Sequence, residues 1–267
     1  MTKVVACVIA RTVSKRLPKK VFKKVYQQHN MLDYIINRLK NCSKIDEIVL
    51  CTSSDRSDDE LELTALKNDI PIYRGSKSNV IERMINVGQH YHTDYLIRIT
   101  GDNVFTSYEY IDTQLQIIEN NKLDYVRLHN VPIGTSAEII SYRALLDCYE
   151  NMDPSISEYL MLYIFNPERY KCGLVVPFKE DYSNYTLTVD TKNDYNRTLE
   201  IIDKSNGLDK LNIELKQLLL IAKKNNIRHL IYDSKGEVKY PYGKVISFEE
   251  YKLDMKNRID NSLKFVL

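Results

Sequence analysis

Hydrophobic positions along the chain alternate between continuous runs and runs with helical spacing. Continuous runs rich in β-branched residues are typical of strands buried on both faces, and they occur at residues 4–10 and 48–52. After an expected cap at Asn30, apolar residues recur at the spacing of a helix. Further strands are predicted at 70–73, 95–100, 124–128 and 185–189, and further helices at 58–67, 80–91, 107–120, 194–204 and 213–224.

This alternation predicts an α/β fold with a mainly parallel sheet and helices on both faces, because strands alternating with helices form right-handed βαβ units. We expect one domain over residues 1–206 and a C-terminal extension over 207–267 packed on the same domain. In such sheets ligands bind beyond the carboxyl ends of the strands. Three polar segments follow predicted strands at such ends, and we expect them to form one site.

Composition narrows the class of partner. The 267 residues carry a net charge of +2, which argues against wholesale binding of nucleic acid or of a membrane surface. The longest apolar runs are too short for a membrane span, and no signal peptide is recognisable. The five cysteines include no C-x-x-C pair, so we expect reduced thiols and a cytoplasmic protein.

The first polar segment is the basic loop (residues 11–24), which follows the first predicted strand and contains no acidic residue. Its cations are Arg11, Lys15, Arg16, Lys19, Lys20, Lys23 and Lys24. A local cationic loop on a nearly neutral chain favours a small polyanion such as a triphosphate over a long nucleic acid. The alternative is a solvated basic surface. The loop matches neither the P-loop pattern nor the dinucleotide-binding glycine pattern.

The other two segments place an aspartate after a strand. Asp102 follows the strand at 95–100, and Asp190 follows the strand at 185–189. Two strand-end carboxylates could flank one Mg²⁺ between phosphates. The structural alternatives are turn chemistry at Gly101-Asp102-Asn103 and a helix cap at Asp190 or Thr191.

In this order the segments resemble the cytidylyltransferases that make CMP-activated sugar acids, notably the spore-coat polysaccharide protein F-like branch and the CMP-Kdo synthetases. The family's A-R-x-x-S-x-R-L-P-G-K motif is matched by Ala10, Arg11, Ser14, Arg16, Leu17, Pro18 and Lys20, with Lys19 in place of the glycine. Its R-x-T-G-D-x-P motif is matched by Arg98, Thr100, Gly101 and Asp102, with Val104 in place of the proline. Its T-V-D-T-x-x-D-Y motif is matched in full by Thr188, Val189, Asp190, Thr191, Asp194 and Tyr195. Shorter matches are Arg74-Gly75-Ser76 with Arg83, and Pro132-x-Gly134 with Glu138.

The resemblance covers roughly residues 3–200 and implies a Rossmann-like nucleotidyltransferase fold, CTP as donor, Mg²⁺ as cofactor and a homodimer. It assigns Arg11, Ser14, Arg16 and Lys20, with Ala10 beside them, to the triphosphate. It assigns Asp102 and Asp190 as metal ligands. The residues that it assigns as catalytic are these two aspartates together with Arg11, Arg16 and Lys20. Thr52, Arg74 and Arg98 are placed near the nucleotide or the acceptor, and Arg83, Gly134 and Glu138 toward the acceptor pocket.

The implied reaction is attack of an acceptor oxygen on the α-phosphorus of CTP, with release of pyrophosphate. Three hypotheses stay open: a sugar-acid acceptor, a phosphorylated or phosphonylated metabolite as acceptor, and a nucleotide-binding regulator without catalysis. His90 and His92 are better explained as surface residues than as a metal half-site. The stretch Ser155-x-Ser157-Glu158 is equally consistent with a helix start and with an acceptor-side or dimer segment.

Overall fold

The computed structural model describes residues 2–153, 160–232 and 236–267, without the side chain of Tyr242. The stretch at 155–158 singled out above lies outside the described residues. Within the described ranges, eight strands form the central sheet in the order β12-β9-β7-β8-β6-β1-β4-β5. These strands are Val4–Ile9 (β1), Glu47–Ser53 (β4), Ile72–Gly75 (β5), Tyr95–Thr100 (β6), Tyr125–Leu128 (β7), Glu138–Ser141 (β8), Cys172–Val176 (β9) and Leu263–Val266 (β12).

Two small hairpins flank this sheet, Lys24–Tyr26 (β2) with His29–Asn30 (β3) and Glu237–Lys239 (β10) with Val245–Ser247 (β11). The helices are Met31–Leu39 (α1), Glu60–Asn68 (α2), Val80–Tyr91 (α3), Ile111–Asn121 (α4), Tyr142–Glu150 (α5), Leu160–Ile164 (α6), Lys192–Lys204 (α7), Leu215–Lys224 (α8) and Phe248–Asp260 (α9). Every pairing in the central sheet is parallel except the two made by β8. The prediction of a mainly parallel α/β fold is therefore confirmed.

The sheet is buried on both faces, as the continuous apolar runs predict. In β1, Val4, Ala6 and Val8 belong to one core cluster, which α1, α2, α4, α7 and α8 cover. Val5 and Cys7 point to the opposite cluster, covered by α3, α5, α6 and α9. Because side chains alternate along a strand, a single run supplies apolar side chains to both cores.

Among the described helices, α1, α7, α8 and α9 begin with capping boxes, and those of α1 and α7 bear on the sequence predictions. Asn30 caps α1 together with Asp33, as the sequence predicts. Thr191 caps α7 together with Asp194. Of the two residues considered as a helix cap, Thr191 is the one that caps α7. The Asp190 carboxylate instead contacts Lys20 and Arg16.

Some local predictions are wrong. Residues 185–189 form no strand: Tyr185 and Thr186 make single bridges to Ile231 and Ile133. Both neighbours lie outside regular strands, so no continuous ladder can form. Residues 107–110 are not part of α4, because a 3₁₀ turn precedes that helix.

Described residues after 206 pack against elements formed by residues before 206. Helix α8 contacts α7, and β12 pairs in parallel with β9 at the edge of the sheet. The boundary at residue 206 stays a prediction. No helix in the described ranges is both long and apolar enough to cross a membrane.

Candidate active site

The basic loop leaves β1 at the carboxyl end of the sheet and turns back toward it. Lys19 adopts a left-handed conformation, with φ 50° and ψ 34°, immediately before a 3₁₀ turn over Lys20–Phe22. A non-glycine residue pays about 1–2 kcal/mol for this conformation. The family motif has glycine at this position, so Lys19 keeps the glycine-like backbone that brings Lys20 inward.

Lys20 joins the three polar segments. Its Nζ lies 2.9 Å from Asp102 Oδ2, 2.9 Å from Asp190 Oδ1 and 3.1 Å from the carbonyl oxygen of Val189. The Lys20 side chain is only 14% exposed. Arg16 reaches the same carboxylate from the exposed side, with Nη2 2.9 Å from Asp190 Oδ1. Four predicted site residues, Arg16, Lys20, Asp102 and Asp190, are therefore brought together.

Opposite charges hold this cluster ionised. Burial alone would lower the pKa of Lys20, but Asp102 and Asp190 outweigh it and raise that pKa. Burial alone would raise the pKa of Asp102, but Lys20 and a hydrogen bond from Thr100 outweigh it and lower that pKa. Lys20 and Asp102 thus stay charged at neutral pH.

Close backbone approach fixes the position of Asp102. Gly101 donates its N–H to the Ile9 carbonyl at 2.8 Å, and a Cβ on Gly101 would meet Ala10 Cβ at 3.1 Å. The carbonyl of Asp102 in turn accepts from the N–H of Val189 at 3.0 Å. These two hydrogen bonds join the end of β1 to the end of β6, and the end of β6 to the segment before Asp190. Ala10 packs against Gly101 at the first of these junctions.

Gly134 supports Asp190 from behind. Its φ is +88°, and a Cβ there would lie 2.6 Å from the Thr188 nitrogen. The adjacent Ile133 exchanges two backbone hydrogen bonds with residues 185 and 187. The buried Arg197 also donates to the Thr188 carbonyl. The structure therefore gives Gly134 a packing role behind the segment that leads to Asp190.

A second polar contact, which the sequence analysis missed, anchors the start of the basic loop. Asp58 accepts from the Thr12 N–H at 2.7 Å and from the Thr12 hydroxyl at 2.8 Å, and it also bonds the Ser53 hydroxyl. Asp58 is buried at the start of a predicted helix, where an acidic residue is ordinary. No sequence signal distinguishes it. Thr52 is buried beside it at the end of β4.

Three predicted arginines lie on the β4–β5 side of the loop. Arg74 pairs with Asp59 and Glu62 and donates to the Ser53 carbonyl, so it braces the loop after β4. Arg83 is buried, with Nη1 2.8 Å from the Ser76 carbonyl. Arg11 is exposed and contacts the Lys77 carbonyl at 3.3 Å. In the part of the chain that the structure describes, none of the three forms a hydrogen bond or an ion pair with Lys20, Asp102 or Asp190.

Ser14 and the Arg98–Glu138 pair complete the predicted set. The Ser14 hydroxyl accepts from the Leu17 N–H at 3.3 Å and shapes the loop. Arg98 forms an ion pair with Glu138, whose other oxygen accepts from the Tyr125 hydroxyl at 2.8 Å. Glu138 is thus already paired, and it lies on the sheet face opposite α1.

The carboxylates of Asp102 and Asp190 fit Mg²⁺ only when a bound nucleotide supplies further oxygen ligands. Asp102 and Asp190 offer two carboxylates around one point that Lys20 Nζ now fills. Among the described residues no cluster of three or more His, Cys, Asp and Glu could hold a metal ion. Mg²⁺ commonly binds through one or two carboxylates plus substrate phosphates, so the fit requires a nucleotide. His90 and His92 are both exposed, as expected of surface residues.

Comparison with known proteins finds relatives over most of the chain. A family model described as Cytidylyltransferase matches residues 5–223. An uncharacterised protein of Methanocaldococcus jannaschii is 31% identical over 228 residues, covering 84% of this chain and 91% of that protein. The spore coat polysaccharide biosynthesis protein SpsF of Bacillus subtilis is 28% identical over 205 residues, covering 74% of this chain and 85% of that protein.

Solved structures are similar over most of the chain. A cytidylyltransferase from Leptospira borgpetersenii is 26% identical with a TM-score of 0.79, covering 87% of this chain and 100% of that one. A CMP:2-keto-3-deoxy-manno-octonic acid synthetase complexed with CTP is 16% identical with a TM-score of 0.55, covering 71% of this chain and 94% of that one. At this lower identity the second structure supports the fold alone.

Proposed function

The chain belongs to the cytidylyltransferase family and is a nucleotidyltransferase enzyme, and from that premise we propose that it transfers CMP from CTP to a sugar acid of the nonulosonic or Kdo-like class. Pyrophosphate is the second product. One observation carries the proposal: Lys20, Asp102, Asp190 and Arg16 converge under the basic loop at the carboxyl end of the sheet.

The basic loop would bind the triphosphate. Arg16 and Lys20 offer cations at the rim of the cluster, and Arg11 extends the positive surface toward Lys77. Arginine gives planar bidentate contacts to phosphate, and lysine gives a mobile point charge. Positioning of the triphosphate and stabilisation of the charge that develops on it would then supply much of the rate enhancement.

Asp102 and Asp190 would hold Mg²⁺ once a nucleotide phosphate completes the ligand set. The ion would neutralise charge on the phosphates and acidify an oxygen bound to it. Lys20 would move from the carboxylates to the phosphates, which places its positive charge beside the leaving group. The described residues include no histidine at the cluster, so the chain offers no separate general base there.

The acceptor class rests on the family branch. The SpsF relative is named for spore coat polysaccharide biosynthesis, and the CTP-bound structural neighbour is a synthetase for the CMP derivative of a sugar acid. We therefore propose a sugar acid whose CMP derivative feeds a surface polysaccharide. We also propose a homodimer in the cytoplasm, where the five buried free cysteines would stay reduced.

The test is a release assay. Purified protein with CTP and Mg²⁺ is mixed with a panel of nonulosonic and related acids, and pyrophosphate is measured. We expect release that depends on both the acid and CTP, and little release with ATP, GTP or UTP. Failure of every acceptor together with absence of CTP binding contradicts the proposal. Tight CTP binding without turnover would instead support a regulator.

A phosphorylated or phosphonylated metabolite is the second candidate acceptor. It requires a further cation on the acceptor side, and Arg127 near the end of β7 would supply it. Phosphorylated acceptors therefore belong in the same panel.

A further inference from the structure

A row of charged residues crosses three neighbouring strands on one face of the sheet. Arg98 of β6 is in register with Glu138 of β8, and Glu138 is in register with Arg127 of β7. Residues paired across strands point to the same face, and adjacent strands lie about 4.8 Å apart. Two guanidinium groups thus flank one carboxylate over about 10 Å.

The carboxylate in this row is paired to only one of the two arginines. Glu138 forms its ion pair with Arg98 and accepts the Tyr125 hydroxyl. Across the described ranges, no carboxylate forms an ion pair with Arg127, whose Nε donates to the carbonyl of Leu128 at 3.2 Å. A half-buried guanidinium without a counter-ion is costly, because desolvation is not repaid by a nearby charge.

Arg127 is directed toward the carboxyl end of β7, where ligands bind in such sheets. Its contact with the Leu128 carbonyl lies at that end of the strand. Burial lowers the pKa of the neighbouring His129, and the positive charge of Arg127 lowers it further. Asp102 and Arg127 thus belong to the same rim, because β6 and β7 run in the same direction on either side of β8.

Phe165 forms the wall beside Arg127, and the C-terminal segment holds Phe165 in place. Phe165 follows α6, and its ring centre lies 5.9 Å from the guanidinium carbon of Arg127. Tyr251 of α9 is half-buried, and Arg127 opposes the rise in the pKa of Tyr251 that burial causes. Helix α9 lies beyond residue 223, where the family match ends.

One arginine anchors α9 in that place. Arg258 donates from Nη1 to the carbonyls of Leu162 and Phe165 at the end of α6, and from Nη2 to the Tyr240 hydroxyl at 2.7 Å. Cations are favourable at a helix carboxyl end, where carbonyls lack partners within the helix. The wall is thus fixed to the core on the acceptor side.

We propose that Arg127 binds an anionic group of the acceptor, a carboxylate or a phosphate, in a subsite whose wall includes Phe165, which Arg258 of α9 holds in place. This inference rests on the proposed function, since the anion belongs to the molecule that receives CMP. It makes Arg127 a residue that selects the acceptor, separate from the triphosphate-binding loop. It also makes acceptor choice depend on a segment outside the matched family region.

The first experiment measures binding without turnover. The nucleotide site is filled with CDP and Mg²⁺, and N-acetylneuraminic acid or inorganic phosphate is titrated while thermal unfolding is followed. We expect at least one anion to stabilise the wild type, and to stabilise Arg127→Gln with about tenfold weaker apparent affinity, the loss typical of a charged hydrogen bond. The sugar acid acting alone identifies a carboxylate, and phosphate acting alone identifies a phosphate.

A matched control tests whether the loss of any arginine charge would weaken anion binding as much as Arg127→Gln does. Arg143 of α5 is 88% exposed at the opposite end of β7, where it pairs with Asp124. Arg143→Gln should bind both anions as the wild type does. Equal anion binding by wild type and Arg127→Gln, or no anion effect on either, overturns the proposal.

The second experiment uses turnover with whichever acceptor the panel identifies. Arg127→Gln should raise the acceptor KM about tenfold and leave the KM for CTP unchanged, and Arg127→Lys should recover part of the loss. If Arg127→Gln raises the KM for CTP as strongly as that for the acceptor, Arg127 is not an acceptor residue. Absence of any turnover by the wild type would refute the proposed function, while the binding experiment would still decide the subsite.

Discussion

Two parts of the rim organise positive charge in different ways. The nucleotide half is the cluster of Arg16, Lys20, Asp102 and Asp190 that we propose binds CTP, and the acceptor half is the row of Arg98, Glu138 and Arg127 that we propose faces the acceptor. On the nucleotide half, Lys20 is shared between two carboxylates, and an exposed Arg16 joins one of them. On the acceptor half, Arg98 and Arg127 flank a single carboxylate within the sheet itself. The nucleotide half is assembled by contacts between loops distant in the sequence, whereas the acceptor half is set by strand register.

This difference suggests different behaviour on binding. Lys20 can exchange its carboxylate partners for phosphates without moving a strand, because its side chain comes from a loop. The backbone positions of Arg98 and Arg127 are fixed by the pairing of β6, β8 and β7, so the two arginines start from a preset spacing. The nucleotide half is suited to a charge that must be redistributed during the reaction. The acceptor half is suited to recognition.

Removing a carboxylate from the nucleotide half should have the largest effect. Asp102→Asn preserves side-chain volume and removes one of the two proposed metal ligands, so we expect turnover to fall by about 100-fold or more. Initial rates of pyrophosphate release measure this loss. Thermal unfolding should show a folded protein. Asp59→Asn, which alters an exposed carboxylate paired with Arg74, should keep wild-type rates. A wild-type rate in Asp102→Asn would remove Asp102 from the site.

Disturbing the support behind Asp190 should have the next largest effect. In Gly134→Ala the new Cβ would lie 2.6 Å from the Thr188 nitrogen, at a φ of +88°. We expect a loss of about 1–3 kcal/mol in unfolding free energy and a clear fall in kcat, because the segment leading to Asp190 must shift. Urea unfolding and steady-state kinetics measure the two effects.

Gly207 provides the matched control for this prediction. Its φ is +77°, and a Cβ there would meet nothing within 4 Å. Gly207→Ala should therefore cost about 1 kcal/mol of conformational free energy and leave kcat unchanged. If both variants keep wild-type kcat, the contact between Gly134 and Thr188 does not position Asp190.

The same contrast explains what the sequence could predict. Hydrophobic periodicity locates β1, β4, β6 and α3 because those segments are buried on the faces that the pattern describes. Charged residues at strand ends likewise indicate the nucleotide half, since parallel strands end on one rim. The segment at 185–189 has a strand-like pattern but lacks a strand to pair with, and a pattern contains no information about neighbours.

Less of the acceptor half could be predicted from the sequence, because its arrangement depends on which strands pair. Arg127 is one arginine among many until the register of β7 with β8 places it beside Glu138. The role of Asp58 depends on a contact with Thr12, 46 residues away. Strand β12 and helix α9 were not predicted, and their place at the edge of the sheet follows from pairing with β9. Such features need tertiary contacts that local patterns do not specify.

A weaker effect should follow loss of an exposed cation from the nucleotide half. The Arg16 side chain is 66% exposed and pairs with Asp190. Arg16→Ala should weaken CTP binding several-fold, and the loss should shrink as salt rises, because exposed charges are screened. Isothermal titration at two ionic strengths measures this.

Lys15→Ala is the comparison for Arg16→Ala, since it removes one charge from the same loop, where Lys15 is exposed. Equal losses in the two variants would mean that the net charge of the loop attracts CTP, without a specific contribution from Arg16. A larger loss in Arg16→Ala, with the salt dependence described, supports a direct contact with phosphate.

The smallest expected effect concerns acid stability. The pKa of Asp102 in the folded protein lies below its ordinary value, because Lys20 and Thr100 outweigh the effect of burial. A lowered carboxyl pKa stabilises the folded state above the unfolded pKa near 4, and this stabilisation is lost as pH falls through the folded pKa. Urea unfolding from about pH 6 down to about pH 3 should therefore show falling stability. The fall should be shallower in Asp102→Asn, which has no carboxyl group to titrate at this position. If the unfolding free energy changes equally with pH in the two proteins, the ion pair of Asp102 with Lys20 does not stabilise the fold. The charged cluster would then serve substrate binding only.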